Sequence, residues 1–256
     1  MSDVFTGHRA ASLLGLPDAA RQRQRVTKKM LAAQFEEHSP ADARLINQAV
    51  QSAWVSGMLR PTTIQVSTYE DDERAVTDIP VLDISLVEKI TGSKRNRVIE
   101  LIHRSMARPV VLLVSVPAGT EILSLALSHV SRTDPTRSSS VIEEHLIVPT
   151  DQIAPGSLHL ERLDRSNMWA LYRDLARTAA AGGHPESAAL QADEAIGLRR
   201  QLTELEAGLV KLLREAGQAK NTQHRIDLRI QSKQIQAKIN RVRGLLYGPG
   251  YSDGRP

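Results

Sequence analysis

Ile79-Pro80-Val81-Leu82-Asp83-Ile84-Ser85-Leu86-Val87 and Pro109-Val110-Val111-Leu112-Leu113-Val114-Ser115-Val116-Pro117 are the most apolar, β-branched runs of the chain. Between them, over Arg95–Met106, the apolar period lengthens from two to about 3.6. Val98, Leu101, Ile102 and Met106 share one helical face there, while Lys94, Arg95, Arg97 and Arg104 lie elsewhere. An amphipathic helix between two apolar strands is a βαβ crossover, which makes the strands parallel neighbours and the connection right-handed. Strands this uniformly apolar belong in a sheet covered on both faces.

On the C-terminal side, Pro117-Ala118-Gly119 predicts a tight turn and Thr120–Arg132 an antiparallel return strand. That strand sets Ile122, Ser124, Ala126 and Ser128 on one face, with Leu123, Leu125, Leu127 and His129 on the other. A flexible loop over Thr133–Ser140 then leads to a last strand, Val141–Pro149. Asn167–Ala180 is patterned as a helix that presents Trp169, Tyr172 and Leu175 to the sheet.

On the N-terminal side, Pro80 places the first apolar run at the start of a strand or at a sheet edge. The acidic cluster Glu70-Asp71-Asp72-Glu73 reads as a solvated turn between a strand over Thr62–Tyr69 and another that begins near Val76. Upstream, Ser39 as N-cap, Pro40 at the first helical position and Asp42 open a helix. Leu45, Ile46, Ala49, Val50, Ala53 and Trp54 continue its pattern, and Gly57 is its expected stop. A further helix is expected over Val26–Phe35, after an N-terminal arm of residues 1–24 that is either a short helix or loosely held.

Past a linker at residues 181–185, Ala181-Gly182-Gly183-His184-Pro185, the chain changes character. Leu198, Leu202, Leu205, Leu209 and Leu212 are spaced alternately by four and three residues, which is a heptad seam. After Ala216-Gly217-Gln218 a second seam follows, with Leu228, Ile235 and Val242 seven apart and Ile239 and Leu246 on companion positions. The expected fold is therefore α+β. A mixed α/β sheet domain of about five strands with a βαβ crossover (residues 25–180) precedes a C-terminal antiparallel helical hairpin or coiled coil (residues 186–247) and a flexible tail (residues 248–256).

The order of patterns resembles a bacterial family, domain of unknown function 4391. The resemblance rests on Trp54…Leu59-Arg60-Pro61-Thr62, on Val81-Leu82-Asp83-Ile84-Ser85-Leu86, on the crossover helix and on Ala107-Arg108-Pro109-Val110-Val111-Leu112-Leu113. It continues through the return strand to Ser131-Arg132 and into Asn221-Thr222-Gln223-His224-Arg225…Leu228. The resemblance implies genes beside helicases and DNA methyltransferases in restriction-type anti-phage islands, hence a defence role. It carries no catalytic residues.

Composition narrows the chemistry. The 256 residues contain no cysteine, which excludes disulfides, thiolate nucleophiles and thiolate metal sites and fits a cytoplasmic protein. Aromatics are only 3%, too few for a base-stacking platform. Met1–Leu16 lacks the pattern of a secretory leader, and no apolar run is long enough for a membrane span. The net charge of +4 is mildly basic.

Asp83, Glu88, Glu121, Glu143 and Glu144 lie on or beside predicted strands, but the acid–spacer–acid–x–Lys pattern of a metal-dependent nuclease is missing. His103, His129 and His145 form no local ligand pair, and Ser115 and Ser124 lack a nucleophile elbow. Gly92 alone makes no phosphate-cradling loop. No catalytic, metal or cofactor residues are assigned on this basis.

Binding residues are better marked. Lys94, Arg95 and Arg97 open a helix, where free amides and bases can hold phosphate. The second tail helix carries Lys220, Arg225, Arg229, Lys233, Lys238, Arg241 and Arg243 against Asp227 alone, a density that can follow a nucleic-acid backbone. Glu194, Glu204, Glu206 and Glu215 on the first tail helix are alternative partners for these bases. The leading expectation is a non-enzymatic adaptor subunit of a restriction-like complex. Its sheet domain would recognise a helicase- or methyltransferase-type partner, and its hairpin would pack against that partner or a second copy through Leu198, Leu202, Leu205, Leu209, Leu228, Ile235, Ile239 and Val242. A DNA-binding subunit and a divergent nuclease are the alternatives.

Overall fold

The crossover organises the sheet as its period change requires. In the computed structural model, which describes residues 8–117, 119, 121–130 and 140–248, strand β5 (Ile79–Leu86) and strand β6 (Val111–Ser115) are parallel, with Val81 opposite Val111 and Ser85 opposite Ser115. Helix α5 (Gly92–Arg104) joins them; Thr91 caps it, its hydroxyl accepting from the Lys94 amide at 3.5 Å. Strand β7 (Ile122–Val130) returns antiparallel to β6, and β8 (Ser140–Pro149) pairs antiparallel with β7. The loop expected over Thr133–Ser140 falls largely outside the described residues, as does most of the tail 248–256.

The sheet has six strands in the order β1-β2-β5-β6-β7-β8 rather than five. The additional pair is β1 (Arg21–Arg25) and β2 (Val50–Leu59), which corrects two expectations. The helix expected through Gly57 stops early: helix α3 ends at Ala49, and Val50 is already extended, its amide bonded to the Ile46 carbonyl. Val50, Ser52, Val55, Ser56 and Gly57 are poor helix formers, and antiparallel pairing with β1 and β5 on either side overrides the apolar spacing. Gly57 is not a helix stop: a Cβ there would lie 2.8 Å from Leu16 Cδ1, so its bareness admits the crossing N-terminal segment. Pro80 sits at the start of β5, which is an interior strand and not an edge.

Of the two alternatives for the N-terminal segment, the described part takes the short helix: α1 (His8–Leu14) packs into the body through buried Ala10 and Leu14. The helix expected over Val26–Phe35 shortens to α2 (Lys28–Ala32), capped by Thr27, plus a 3-10 turn. Helix α3 (Pro40–Ala49) opens at Ser39 with Pro40 first, as expected. The Ser39 hydroxyl, however, donates to Asp42 at 2.8 Å instead of capping an amide. The strand expected over Thr62–Tyr69 is replaced by a short helix, α4 (Pro61–Ile64), and left-handed Gln65. Only Tyr69–Glu70 (β3) is extended in a ladder, pairing with β4 (Ala75–Val76) around the acidic turn.

The two sheet faces are buried separately. Val81, Val111, Leu113, Leu123, Leu125 and Val148 pack with α1, with α6 (Met168–Ala180) and with the near ends of α7 (Ala192–Gln218) and α8 (Thr222–Tyr247). Leu82, Ile84, Leu112 and Val114 pack with α2, α3 and α5 through Leu31, Ile46, Val98 and Ile102. The α6–α7 connection is a hydrogen-bonded turn. Gly182 and Gly183 are left-handed, their amides bond to Ala179 and Thr178, and Ala181 is fully buried.

Candidate functional site

The heptad spacing of the tail produces two long helices that pack on each other. Asn221 caps the second, its side chain accepting from the His224 amide at 3.1 Å. Leu202, Leu228, Ile239 and Val242 are buried along the seam. Leu198, Leu205, Leu209 and Ile235 are half-buried against the same core. The near end is tied to the sheet by Arg200–Glu144 at 2.8 Å. The eight seam residues thus face each other and the body, and the surface open to other molecules lies off the seam.

That surface can be traced. Arg199, Thr203, Glu206, Val210 and Leu213 follow one another at four- and three-residue steps and form one stripe of α7. Ile226, Arg229, Lys233, Gln236, Asn240 and Arg243 form the corresponding stripe of α8. The Arg243–Glu206 ion pair, 2.7 Å, puts both stripes on the same flank of the hairpin. From Val210 to Gln234, among the described residues, only Ala216, Leu228 and Ser232 are buried, so the far half covers little besides its own inner face. On that half Val210 is 67% exposed, Leu213 53%, Ile226 45% and Ile230 51%. Leu213 and Ile226 stand about equally far from the connecting turn, as do Val210 and Ile230, one position round the helix.

The expected pairing of α8 bases with α7 glutamates is limited to Arg243–Glu206. Arg225, Arg229, Lys233, Lys238 and Arg241 are exposed and form no ion pair among the described residues. The corner at the start of α5 divides. Lys94 is exposed, Arg95 makes one long bond of 3.4 Å to Asn96, and Arg97 is committed to Asp42 at 2.7 Å and Glu100 at 3.1 Å. The Arg97 guanidinium lowers the pKa of Asp42, with Ser39 assisting against partial desolvation.

The acidic residues weighed for metal chemistry are not brought together. Asp83 is buried in β5, while Glu143 and Glu144 lie on β8, three strand spacings or ~14 Å across the sheet. Glu143 receives Arg74 through both oxygens at 2.7 Å and His129 at 2.9 Å, and Glu144 receives Arg200. Among the described residues no group of three or more metal-ligating side chains forms.

Sequence reading missed one polar cluster. His103 of α5 and His145 of β8 both address Ser124 of β7 in the interior. Burial pushes both imidazoles down, His145 to about 4 and His103 well below its ordinary range. Ser124 is fully buried, out of a substrate's reach, so the cluster fastens α5 to the sheet. Its one sequence signal was a serine in the apolar company of the return strand.

A family model described as a domain of unknown function (DUF4391) matches residues 14–239, which contain every segment on which the resemblance rested. No curated protein and no solved structure matches the chain. No described helix is long and apolar enough to cross a membrane.

Proposed function

The chain belongs to the family of the domain of unknown function (DUF4391), and from that premise we propose that it is a non-enzymatic adaptor whose hairpin docks on a partner protein. The observation that carries this reading is the exposed row Val210, Leu213 and Ile226, on the same flank of a helix pair that already satisfies its own seam. Large aliphatic side chains gathered on one flank mark an association surface. Each gains roughly 1.5–3 kcal/mol when fully covered. Arg225, Arg229 and Lys233 border the row, so the complementary surface is apolar with an acidic rim. The resemblance to genes of anti-phage islands makes a helicase or DNA methyltransferase subunit the partner class.

The test is co-expression with neighbouring helicase and methyltransferase gene products, followed by size-exclusion chromatography. The reading expects a complex that Leu213→Ser combined with Ile226→Ser dissolves while the urea midpoint stays unchanged. A complex indifferent to both substitutions, or none with any of these partners, overturns it.

A second reading, a DNA-binding subunit, has its own support in the exposed bases Arg225, Arg229, Lys233, Lys238 and Arg241. Duplex affinity would then fall steeply with salt, and each base replaced by Gln would reduce the slope by about one. Absence of binding at low ionic strength removes this reading.

A further inference from the structure

We infer that the cleft between the near end of the hairpin and the carboxyl ends of β5 and β6 binds a small phosphorylated molecule of about mononucleotide size. This site is independent of the adaptor reading and lies on the body-side half of the hairpin, with the exposed aliphatic side chains on the outer half. Its volume is about 490 Å³, within the range of roughly 300–1,000 Å³ typical of ligand pockets. Ile90, just beyond β5, and Val116, just beyond β6, form part of its wall. Ligands of open α/β sheets collect in this location, outside the carboxyl ends of parallel strands.

Arg199 carries the argument. It lines the cleft, yet it is only 8% exposed. Its guanidinium donates to the Tyr247 hydroxyl at 2.6 Å and to the Gln152 side-chain oxygen, both neutral. It has no carboxylate partner among the described residues. A cation taken out of water is costly unless a counter-charge meets it. The one carboxylate in the cleft wall, Glu206, is already neutralised by Arg243. Among the described residues, the cleft therefore holds positive charge that no acid answers.

A second cation faces the same space from the other wall. Arg95 of α5 lines the cleft, and its bond to Asn96 is long. The first turn of α5 adds the partial positive charge of its free amides. Two guanidiniums suit phosphate oxygens, which accept paired N–H donors. Thr203 and Asn96 supply neutral polar groups at the rim, and Ile90, Val116 and Ile147 offer an apolar wall for a base or another flat group. No glycine-rich loop is required, because side chains do the holding.

The test is titration calorimetry on the full chain with adenosine monophosphate, ribose 5-phosphate, inorganic phosphate and adenosine. We expect adenosine monophosphate to bind and adenosine not to. Arg95→Gln, on an exposed helical turn where folding is not at stake, should weaken binding about tenfold or more. Arg199→Lys should retain part of the affinity that Arg199→Gln loses, and circular dichroism checks the fold of both. Equal binding of adenosine and its monophosphate overturns the assignment. So does unchanged affinity in Arg95→Gln, or no heat with any of the three phosphates.

Discussion

His103 and His145 share one hydroxyl: their Nε2 atoms approach Ser124 Oγ at 2.9 and 2.8 Å, and the two rings meet edge-on with centroids 5.1 Å apart. A hydroxyl donates to one ring and accepts from the other, so at least one imidazole must keep a free lone pair. Burial favours the neutral form of both, and each ring's charge would oppose the other's; Glu100 beside His145 pulls weakly the other way.

Acid should therefore loosen the fold above the range where carboxylates titrate. In the unfolded chain a histidine takes its proton near pH ~6.5, whereas folded His145 takes it at about 4. Stability is complete above the higher value and is lost as pH falls toward the lower one. His145 alone should cost about 2 kcal/mol by pH 5, and His103 adds to it in the same direction. Urea midpoints at pH 7.5 and 5.0 measure the loss, and equal midpoints would contradict the neutral pair.

Tyr172 offers a test on the opposite sheet face. Its fully buried hydroxyl donates to the Val110 carbonyl at 2.9 Å and accepts from the Ala126 amide at 3.0 Å, joining α6 to the strand region on both sides. Tyr172→Phe keeps the ring and strands both backbone groups, so stability should fall by about 1–3 kcal/mol. Denaturant melts of the variant decide the matter, and an unchanged midpoint is the adverse result.

Gly57 should tolerate no side chain without movement of Leu16. Alanine there places Cβ 2.8 Å from Leu16 Cδ1, which should cost about 1–3 kcal/mol by overpacking. Shortening Leu16 to Ala in the same chain relieves the clash, so the double variant should lose less than the sum of the singles. Additive losses in a double-mutant cycle would show that the contact is not what limits this position.

The two ends of the hairpin should respond differently to substitution. Leu202→Ala or Ile239→Ala removes a buried side chain where the helices meet the body and should cost about 2–5 kcal/mol. Leu213→Ser, at the far end, should stay within about 0.5 kcal/mol. Thermal melts of the three variants test this, and equal losses at both ends would mean that the far half is covered after all.

The legible parts of the fold were those where one period ran long enough to exclude the other. The crossover from Ile79 to Val116, the return strand and both tail helices all have that property. Reading failed between Val50 and Tyr69, where short elements adjoin without a break. Val50, Ala53 and Trp54 match a helix by spacing, and only pairing with a distant strand makes them extended. Likewise Arg21–Arg25 has no apolar alternation and is a strand only because β2 offers it a ladder.

The proposed docking surface was half legible. Spacing located the two seams, but it could not say that their leucines would be consumed at home. Nor could it place Arg95 and Arg199 on one cleft, since they lie on different elements. The histidine cluster was equally hidden, its members coming from α5, β7 and β8.

Among the described residues, the outermost strand, Arg21-Gln22-Arg23-Gln24-Arg25, has no neighbour on one side of its backbone. Long, largely exposed arginine and glutamine side chains line that rim, with Arg21 held to Asp18 at 2.8 Å and Arg23 over the Trp54 ring, so another copy of the same rim, brought alongside, must displace them before its first amide can find a carbonyl. Edge-to-edge stacking at this border is thereby discouraged.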